Sequence, residues 1–545
     1  MPRLVLGPLL RHVGESDATI WVETDRPCEV EVLGHRAHTF TIAGHHYAIV
    51  CVRGLAPGST REYDVALDGE RRWPEPDSGF PPSTIRTLRR GDEVRLAFGS
   101  CRVTAPHEPP YCLGRDEHPL GLGIDSLYAF ARRLEAEPWQ RWPHLLLLVG
   151  DQVYADKVSP GVARFIERRR DISAPPGDQV ADFEEYTRLY HEAWRDPTVR
   201  WLFSSLPTAM IFDDHDLHDD WNTSEAWVND MRAKPWWEER IVGAFMSYWI
   251  YQHLGNLSPD DLAKDALFRR VTATGDGNEL LRRFALKASH ETDGSQWSYR
   301  RDLGTSRLVV IDSRAGRVLK GGQRSMLDEQ EWAWLESAVT GDLDHLLLGT
   351  SLPLLLLPGL HYVEAWNEAV CAGAWGRHAA VLGEKLRQRA DLEHWAAFEG
   401  SFARLVRMIT AVGAGERGTP PASIVVLSGD VHHAYLAKVA FPKRRAVKSA
   451  VYQAVCSPFR HPLKGHAQRA VRAGMAGPAV LLARALGRAA GVKDPGVRWR
   501  SDAPIFDNQI ATLALKGREA RLTVERTHGN WRDPSLEPVL ERRLS

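Results

Sequence analysis

Six stretches of this chain are apolar almost without interruption and end at, or directly before, a small or polar residue. They are Val94–Gly99, Leu145–Gly150, Thr208–Phe212, Arg307–Ile311, His345–Gly349 and Ile424–Ser428. A strand covered on one face alternates apolar and polar side chains, whereas an unbroken apolar run needs cover on both faces. Helical patterns separate the runs, at Ser126–Glu137, Asp182–Trp194, Trp236–His253 and Glu329–Val339. This order predicts an α/β layered domain with its sheet buried between helices.

Residues 1–88 read differently. Ala18–Glu23, Cys28–Leu33, His46–Val52 and Glu62–Leu67 alternate with period two and are separated by turn signals such as Ala56-Pro57-Gly58. Short strands at this spacing predict a small β-sandwich. The stretch LAPGSTREYDVALDG resembles the Leu-x-Pro-Gly-Thr-x-Tyr segment of fibronectin-type-III-like domains. A Pro-rich linker is expected at 73–83, followed by the larger domain, so the division is 1–90 and 91–545. Near the end, Gln509–Leu515 and Arg521–Arg526 predict a β-hairpin at a sheet edge. The length, 545 residues, fits two or more domains.

Composition narrows the function classes. Lys+Arg 69 against Asp+Glu 70 gives net charge −1, so no nucleic-acid scaffold is expected. Six cysteines without a CxxC pair do not form a disulfide framework. The first residues lack the apolar core of a signal peptide, and no run of 18 apolar residues exists; the expected location is cytoplasmic. Tryptophans gather at 194–249, which predicts an aromatic helical layer.

Chemistry concentrates where the apolar runs stop. VRLAFGSCR delivers Cys101 and Arg102. LLLLVGDQVYAD delivers Asp151, Tyr154 and Asp156. TAMIFDDHDLHDD delivers Asp213, Asp214 and His215, with Asp216, His218, Asp219 and Asp220 behind them. IVVLSGDVHHA delivers Asp430, His432 and His433. Ligands of α/β sheets bind at the carboxyl ends of strands. Carboxylates crowded there repel one another unless cations intervene, and a metal centre accepts oxygen, nitrogen and thiolate donors together.

In order along the chain, FGSCR, GDQVYAD, FDDHD, VIDSR, GTSLP and SGDVHHA resemble the alkaline phosphatase D (PhoD-like) family of calcineurin-like metallophosphatases. The resemblance spans about residues 92–530. It implies a double β-sheet sandwich flanked by helices and preceded by the small all-β domain. It also implies two or more metal ions, Fe3+ with Ca2+, with Mn2+ or Zn2+ as alternatives. The metal ligands implied are Cys101, Asp151 as the bridge, Tyr154, Asp213, Asp214, Asp430 and His432. His215 stands near the leaving group, and Arg102 is expected to clamp phosphate. Asp156 is a further ligand or a supporting carboxylate. Asp216, Asp219, Asp220 and Asn222 replace the Glu and Asn usual after Asp-Asp-His, so a more acidic site is expected.

The expected activity is hydrolysis of phosphoric monoesters or diesters by a metal-bound hydroxide. A phospholipase D-type diesterase on lipids and a catalytically inactive binding protein stand as alternatives. Asp312 and Arg314 read as a structural ion pair, and His433 as a core or supporting histidine. Residues 460–500 carry nine Lys/Arg and one acid. They read as helix packed on the domain with a solvated basic face, with weak membrane-surface contact as the other reading. Physiological substrate and oligomeric state are not legible.

Overall fold

A computed structural model describes residues 1–292 and 294–545. Three adjacent parallel strands, Val94–Gly99, Leu145–Val149 and Thr208–Ile211, begin the first large sheet. Its six strands run Thr208–Ile211, Leu145–Val149, Val94–Gly99, Gln509–Lys516, Glu519–Asn530, Asp533–Arg543. The terminal hairpin therefore pairs with the interior strand Val94–Gly99, and a third strand, Asp533–Arg543, forms the edge. The second sheet has seven strands: Tyr299–Leu303, Ser306–Ile311, His345–Thr350, Ser423–Ser428, Ala450–Val455, Tyr435–Ala440, Arg498–Ser501.

The second sheet is apolar on both faces, as its unbroken runs require. Leu308, Val310, Leu347, Val425 and Leu427 point toward the first sheet and share its core. Their alternates Val309, Ile311, Leu346, Leu348, Ile424 and Val426 pack with residues of the helices Glu329–Ala338 and Glu399–Ala414. Gly349 faces Leu147 across the gap, where a β-carbon would stand 3.4 Å from the leucine Cδ2. Trp194, Trp201, Trp221, Trp227, Trp237 and Trp249 are buried in the same core, which is the expected aromatic layer. The stretch Trp236–His253 is helical, but changes from α at Trp237–Ser247 to π at Tyr248–His253.

The N-terminal region forms two four-stranded antiparallel sheets, one ordered Leu4–Val13, Asp17–Thr24, His45–Arg53, Phe40–Ile42, the other His35–His38, Glu29–Val32, Val65–Leu67, Glu70–Trp73. Leu10, Ile20, Val50, Val30, Val65 and neighbours fill a small core between them. The opposite face of the first of these sheets, with Leu6, Leu9, Trp21, Tyr47 and Ile49, is buried in the large core instead. Arg11 completes the seam by donating to the carbonyls of Tyr251 and Gln252 at 2.6 and 2.7 Å. The region is thus packed on both sides of one sheet.

Two expectations change. Glu62–Leu67 is not one strand: it breaks after Glu62, and Tyr63 donates its hydroxyl to Ser204 O at 2.6 Å. The halves Thr60–Glu62 and Val65–Leu67 then join different sheets. The 73–83 stretch is docked rather than free. Trp73 donates to Ser83 Oγ, Phe80 stacks on Trp201 at 5.7 Å, and Trp201 donates to Pro81 O at 2.9 Å.

Candidate active site

Five strands from the two large sheets end at one place, and each delivers a polar residue to it. Close backbone approach makes this possible. A β-carbon on Gly150 would meet Asp213 Cβ at 2.6 Å, and one on Gly429 would meet Ser100 Oγ at 2.0 Å. The Gly-Asp pairs 150–151 and 429–430 therefore need glycine to bring their aspartates together. The chain also turns through left-handed backbone at Cys101 (φ +56°), Asp151 (+51°), Asp430 (+66°) and His432 (+53°). Each such residue costs on the order of 1–3 kcal/mol and persists where its surroundings over-determine it.

The resulting cluster has two sides, one containing Asp151 and the other Asp214, and these two aspartates link them. Cys101, Asp151 and His432 bring one donor atom each within 4.8 Å of one another, as do Asp213, Asp214 and Asp430, and as do Asp151, Asp214 and His215. Tyr154 stands beside the first side: its hydroxyl donates to Asp151 Oδ2 at 3.4 Å and lies 3.2 Å from His461 Nδ1. Seven of the residues singled out as ligands are therefore assembled: Cys101, Asp151, Tyr154, Asp213, Asp214, Asp430 and His432. Asp151 Oδ1 and Asp213 Oδ2 are buried without a hydrogen-bond partner. Such orphaned oxygens are rare in folded proteins and fit a cation.

Electrostatics agree with that reading. Burial, then neighbouring aspartates, pushes Asp151 well above the ordinary carboxylate range, and burial does the same to Asp213 against the pull of Arg314. Burial, then Asp151, raises the Cys101 thiol and the Tyr154 phenol. A bound cation reverses this balance by favouring every deprotonated donor. Burial lowers His432 to about 4, which leaves its imidazole neutral and able to donate a lone pair.

His215 is held by Asp156, with Nδ1 3.0 Å from both carboxylate oxygens, and its ring packs on Tyr154 at 4.7 Å. Burial opposes its protonation, but Asp214 and Asp156 hold its pKa well above the ordinary histidine value. Lys157 Nζ lies 3.4 Å from its Nε2. Asp216 shapes the loop instead of facing the cluster, since it accepts from the backbone N–H groups of Asp151, Gln152, Val153 and Asp213. Asp219 and Asp220 donate their backbone N–H groups to Asp156 and Asp214, and His218 turns away against Trp227, Trp236 and Trp237. His433 is buried, with Nδ1 donating to Val431 O.

Arg102 is tied into the protein through two of its guanidinium nitrogens while lining the cavity beside the cluster. Its Nε donates to Asp125 Oδ2 at 2.8 Å and its Nη1 to Ala193 O at 2.9 Å. Asp125 also caps the helix Ser126–Ala136 through the N–H groups of Leu127 and Tyr128, so the arginine is fixed to that helix start. The Asp312–Arg314 pair is absent. Asp312 accepts from the backbone of Arg314, Ala315 and Gly316. The freed guanidinium reaches into the cluster, 2.5 Å from Asp213 and from Glu393, 3.3 Å from Asp214 and 3.8 Å from Asp430.

Four more residues complete the cluster without a signal in the strand pattern. Glu393 and His394 come from a loop that precedes a long helix. His394 bridges Asp430 Oδ2 at 2.8 Å and Glu364 Oε1 at 2.6 Å, and Glu364 lies on the helix Pro358–Cys371. His461 packs against His432 with the rings tilted, centroids 4.2 Å apart. It follows Arg460, which is buried and donates to the carbonyls of Gly123, Ala105 and Pro106. The start of the basic 460–500 stretch therefore belongs to the wall of the site. Its helices Gly465–Gly474 and Gly477–Ala489 pack on Pro358–Cys371. Among the described residues, no helix is long and apolar enough to cross a membrane.

Residues 126–473 match the PhoD-like phosphatase family, and residues 1–85 match a domain of unknown function, DUF7800. No curated protein matches. A solved structure titled "Structure of PhoD" superposes with a TM-score of 0.59 at 10% identity, covering 99% of this chain and 92% of that one. At that identity the likeness speaks for the fold, a mixed α/β arrangement of several sheets.

Proposed function

The chain belongs to the PhoD-like phosphatase family, and from that premise we propose that it hydrolyses phosphoric esters at a centre of two or more cations held around Asp151. The observation that carries this reading is the pair of buried, partnerless carboxylate oxygens on Asp151 and Asp213 within a ring of further donors. The donor set supports unlike ions. Thiolate and phenolate at Cys101 and Tyr154 suit Fe3+, with Mn2+ or Zn2+ as substitutes, and the oxygen donors Asp213, Asp214 and Asp430 suit Ca2+. Bound there, the cations would withdraw charge from the phosphoryl group and acidify a water.

The chain's own residues supply the rest. Asp151 faces both sides of the cluster and is the natural bridge. Asp430 and His432 hold the open edge, with His394 and Glu364 fixing the Asp430 carboxylate. Asp156 orients His215 so that Nε2 can give a proton to the departing alkoxide. Lys157, beside that nitrogen, supplies positive charge. We read the two facing sheets as the metallophosphatase sandwich. Residues 1–90 are then a fibronectin-III-like domain docked on a catalytic domain at 91–545. Rates on p-nitrophenyl phosphate and bis(p-nitrophenyl) phosphate, before and after chelation, test the proposal. Loss of hydrolysis with the metal and its return on re-addition is expected; undiminished turnover after chelation would refute it.

A further inference from the structure

A cavity of about 940 Å3 opens directly off the cluster. Tyr154, Lys157 and His461 line its inner end, and Tyr154 and Lys157 both stand against His215. Its outer walls come from the 103–122 loop and from the helices Pro160–Glu167 and Phe183–Trp194. That volume is near the upper end for small-molecule sites. Inorganic phosphate or a short alcohol would leave most of it empty.

The lining has two characters. Tyr111, Leu120, Leu122, Val158 and Leu189 give it an apolar body. Arg115, Arg164, Arg188 and Arg195 also line it. Among the described residues, none of these four guanidinia lies within 4.0 Å of a carboxylate. The two acids of the lining are engaged elsewhere. Glu192 accepts from Ser159 Oγ at 2.7 Å, and Asp196 caps the helix Pro197–Ser205 through Thr198 and Val199. Arg115 and Arg188 are half-buried, and each has a buried Nε with no acceptor. Those Nε atoms are out of a ligand's reach, but the terminal nitrogens of both forks are not buried away and make no hydrogen bond among the described residues, and a guanidinium fork fits the oxygens of phosphate or carboxylate.

Resting on the phosphoric ester reading above, we propose that this cavity receives the alcohol portion of the substrate, and that this portion is an extended apolar group ending in a second oxyanion. The inner end sets the reacting phosphate at the cluster, the apolar wall covers the chain, and the arginines grip the far anion. A phosphate or a carboxylate at that end satisfies the same donors.

Three substrates with one eight-carbon body separate these elements: octyl phosphate, 1,8-octanediol bisphosphate and 8-phosphonooxyoctanoate. The wild-type protein is expected to show kcat/KM about tenfold or more higher on either doubly anionic ester than on octyl phosphate, the scale of one charge-assisted hydrogen bond. The larger of the two gains identifies the anion. In Arg115→Gln/Arg188→Gln the ratio should fall to near one. The exposed pair Arg164→Gln/Arg195→Gln should lower it part of the way, and serves if the first variant does not fold. Equal kcat/KM on all three substrates in the wild type, or an unchanged ratio in a folded variant, overturns the proposal. Should no ester be hydrolysed, the hydrolase reading fails by itself. Calorimetric binding of 1,8-octanediyl bisphosphonate then decides on the cavity: binding weakened in the arginine variants supports it, and no binding to the wild type overturns it.

Discussion

On one side of Asp151 stand Cys101, Tyr154 and His432; on the other stand Asp213, Asp214, Asp430 and Glu393 around Arg314. The acidic side carries its own fixed cation. Burial opposes ionisation of Asp214, but Arg314 and His215 hold its pKa below the ordinary carboxylate range. His394, through a hydrogen bond, overcomes burial at Asp430 in the same way. On the thiol side His215 pulls against burial at Asp151, yet burial still raises Cys101, Tyr154 and Asp151 together. Protein charges outweigh burial at Asp214 and Asp430, though not at Asp213, whereas on the other half burial prevails at all three groups. The two sides should therefore respond differently to metal removal and to substitution.

The largest effect is expected at Asp151, the residue proposed above to bridge the two sides. Asp151→Ala should reduce aryl phosphate hydrolysis to background, because neither side keeps its common carboxylate. Activity within tenfold of wild type would separate the sides and end the bridging role. His215→Gln should come next, with a loss on the order of 10²–10⁴-fold that shrinks for good leaving groups. Rates on phenyl and p-nitrophenyl phosphate measure that difference, and equal losses would assign His215 a structural or ligand role.

Arg314→Met sharpens the contrast between the sides. Removing one partner of a buried charged cluster costs about 3–5 kcal/mol, so the metal-free protein should melt well below wild type. Added metal should recover much of that loss, since it can neutralise the same carboxylates. A melting temperature unchanged in the metal-free state would show that Arg314 is not balancing them. Tyr154→Phe removes one hydroxyl and should leave the fold intact. If Fe3+ occupies the thiol side, its visible charge-transfer band should bleach or shift, while calcium content stays constant. A band indifferent to the substitution would exclude phenolate from the coordination.

What could be read from the chain depended on how each residue reaches the cluster. Asp151, Asp214 and Asp430 follow unbroken apolar runs, and an apolar run buried on both faces has a defined end where polar residues collect. His394, Glu364 and His461 reach the same place from a loop, a helix face and the far side of a buried arginine, where no period marks them. Arg314 departs from its sequence expectation for a physical reason. Two residues apart suggests a pair with Asp312, but the turn after the strand takes the Asp312 oxygens for its own N–H groups and sends the guanidinium across the cluster. Arg102 is drawn to Asp125, at a helix start nearby in space and 23 residues away in sequence, a partner that no spacing marks. In the N-terminal region the period-two pattern showed strands. It did not show that one sheet is covered on both faces, because Trp21 and Tyr47 meet their partners more than 200 residues later, at Tyr251.

Elemental analysis of the protein purified without added metal, beside Asp151→Ala prepared in the same way, tests the account most directly. More than one ion per chain is expected in the wild type. In the variant, metal should be lost from both sides while circular dichroism is unchanged. An active wild-type protein holding less than one ion per chain, or a variant that keeps full occupancy, would contradict it.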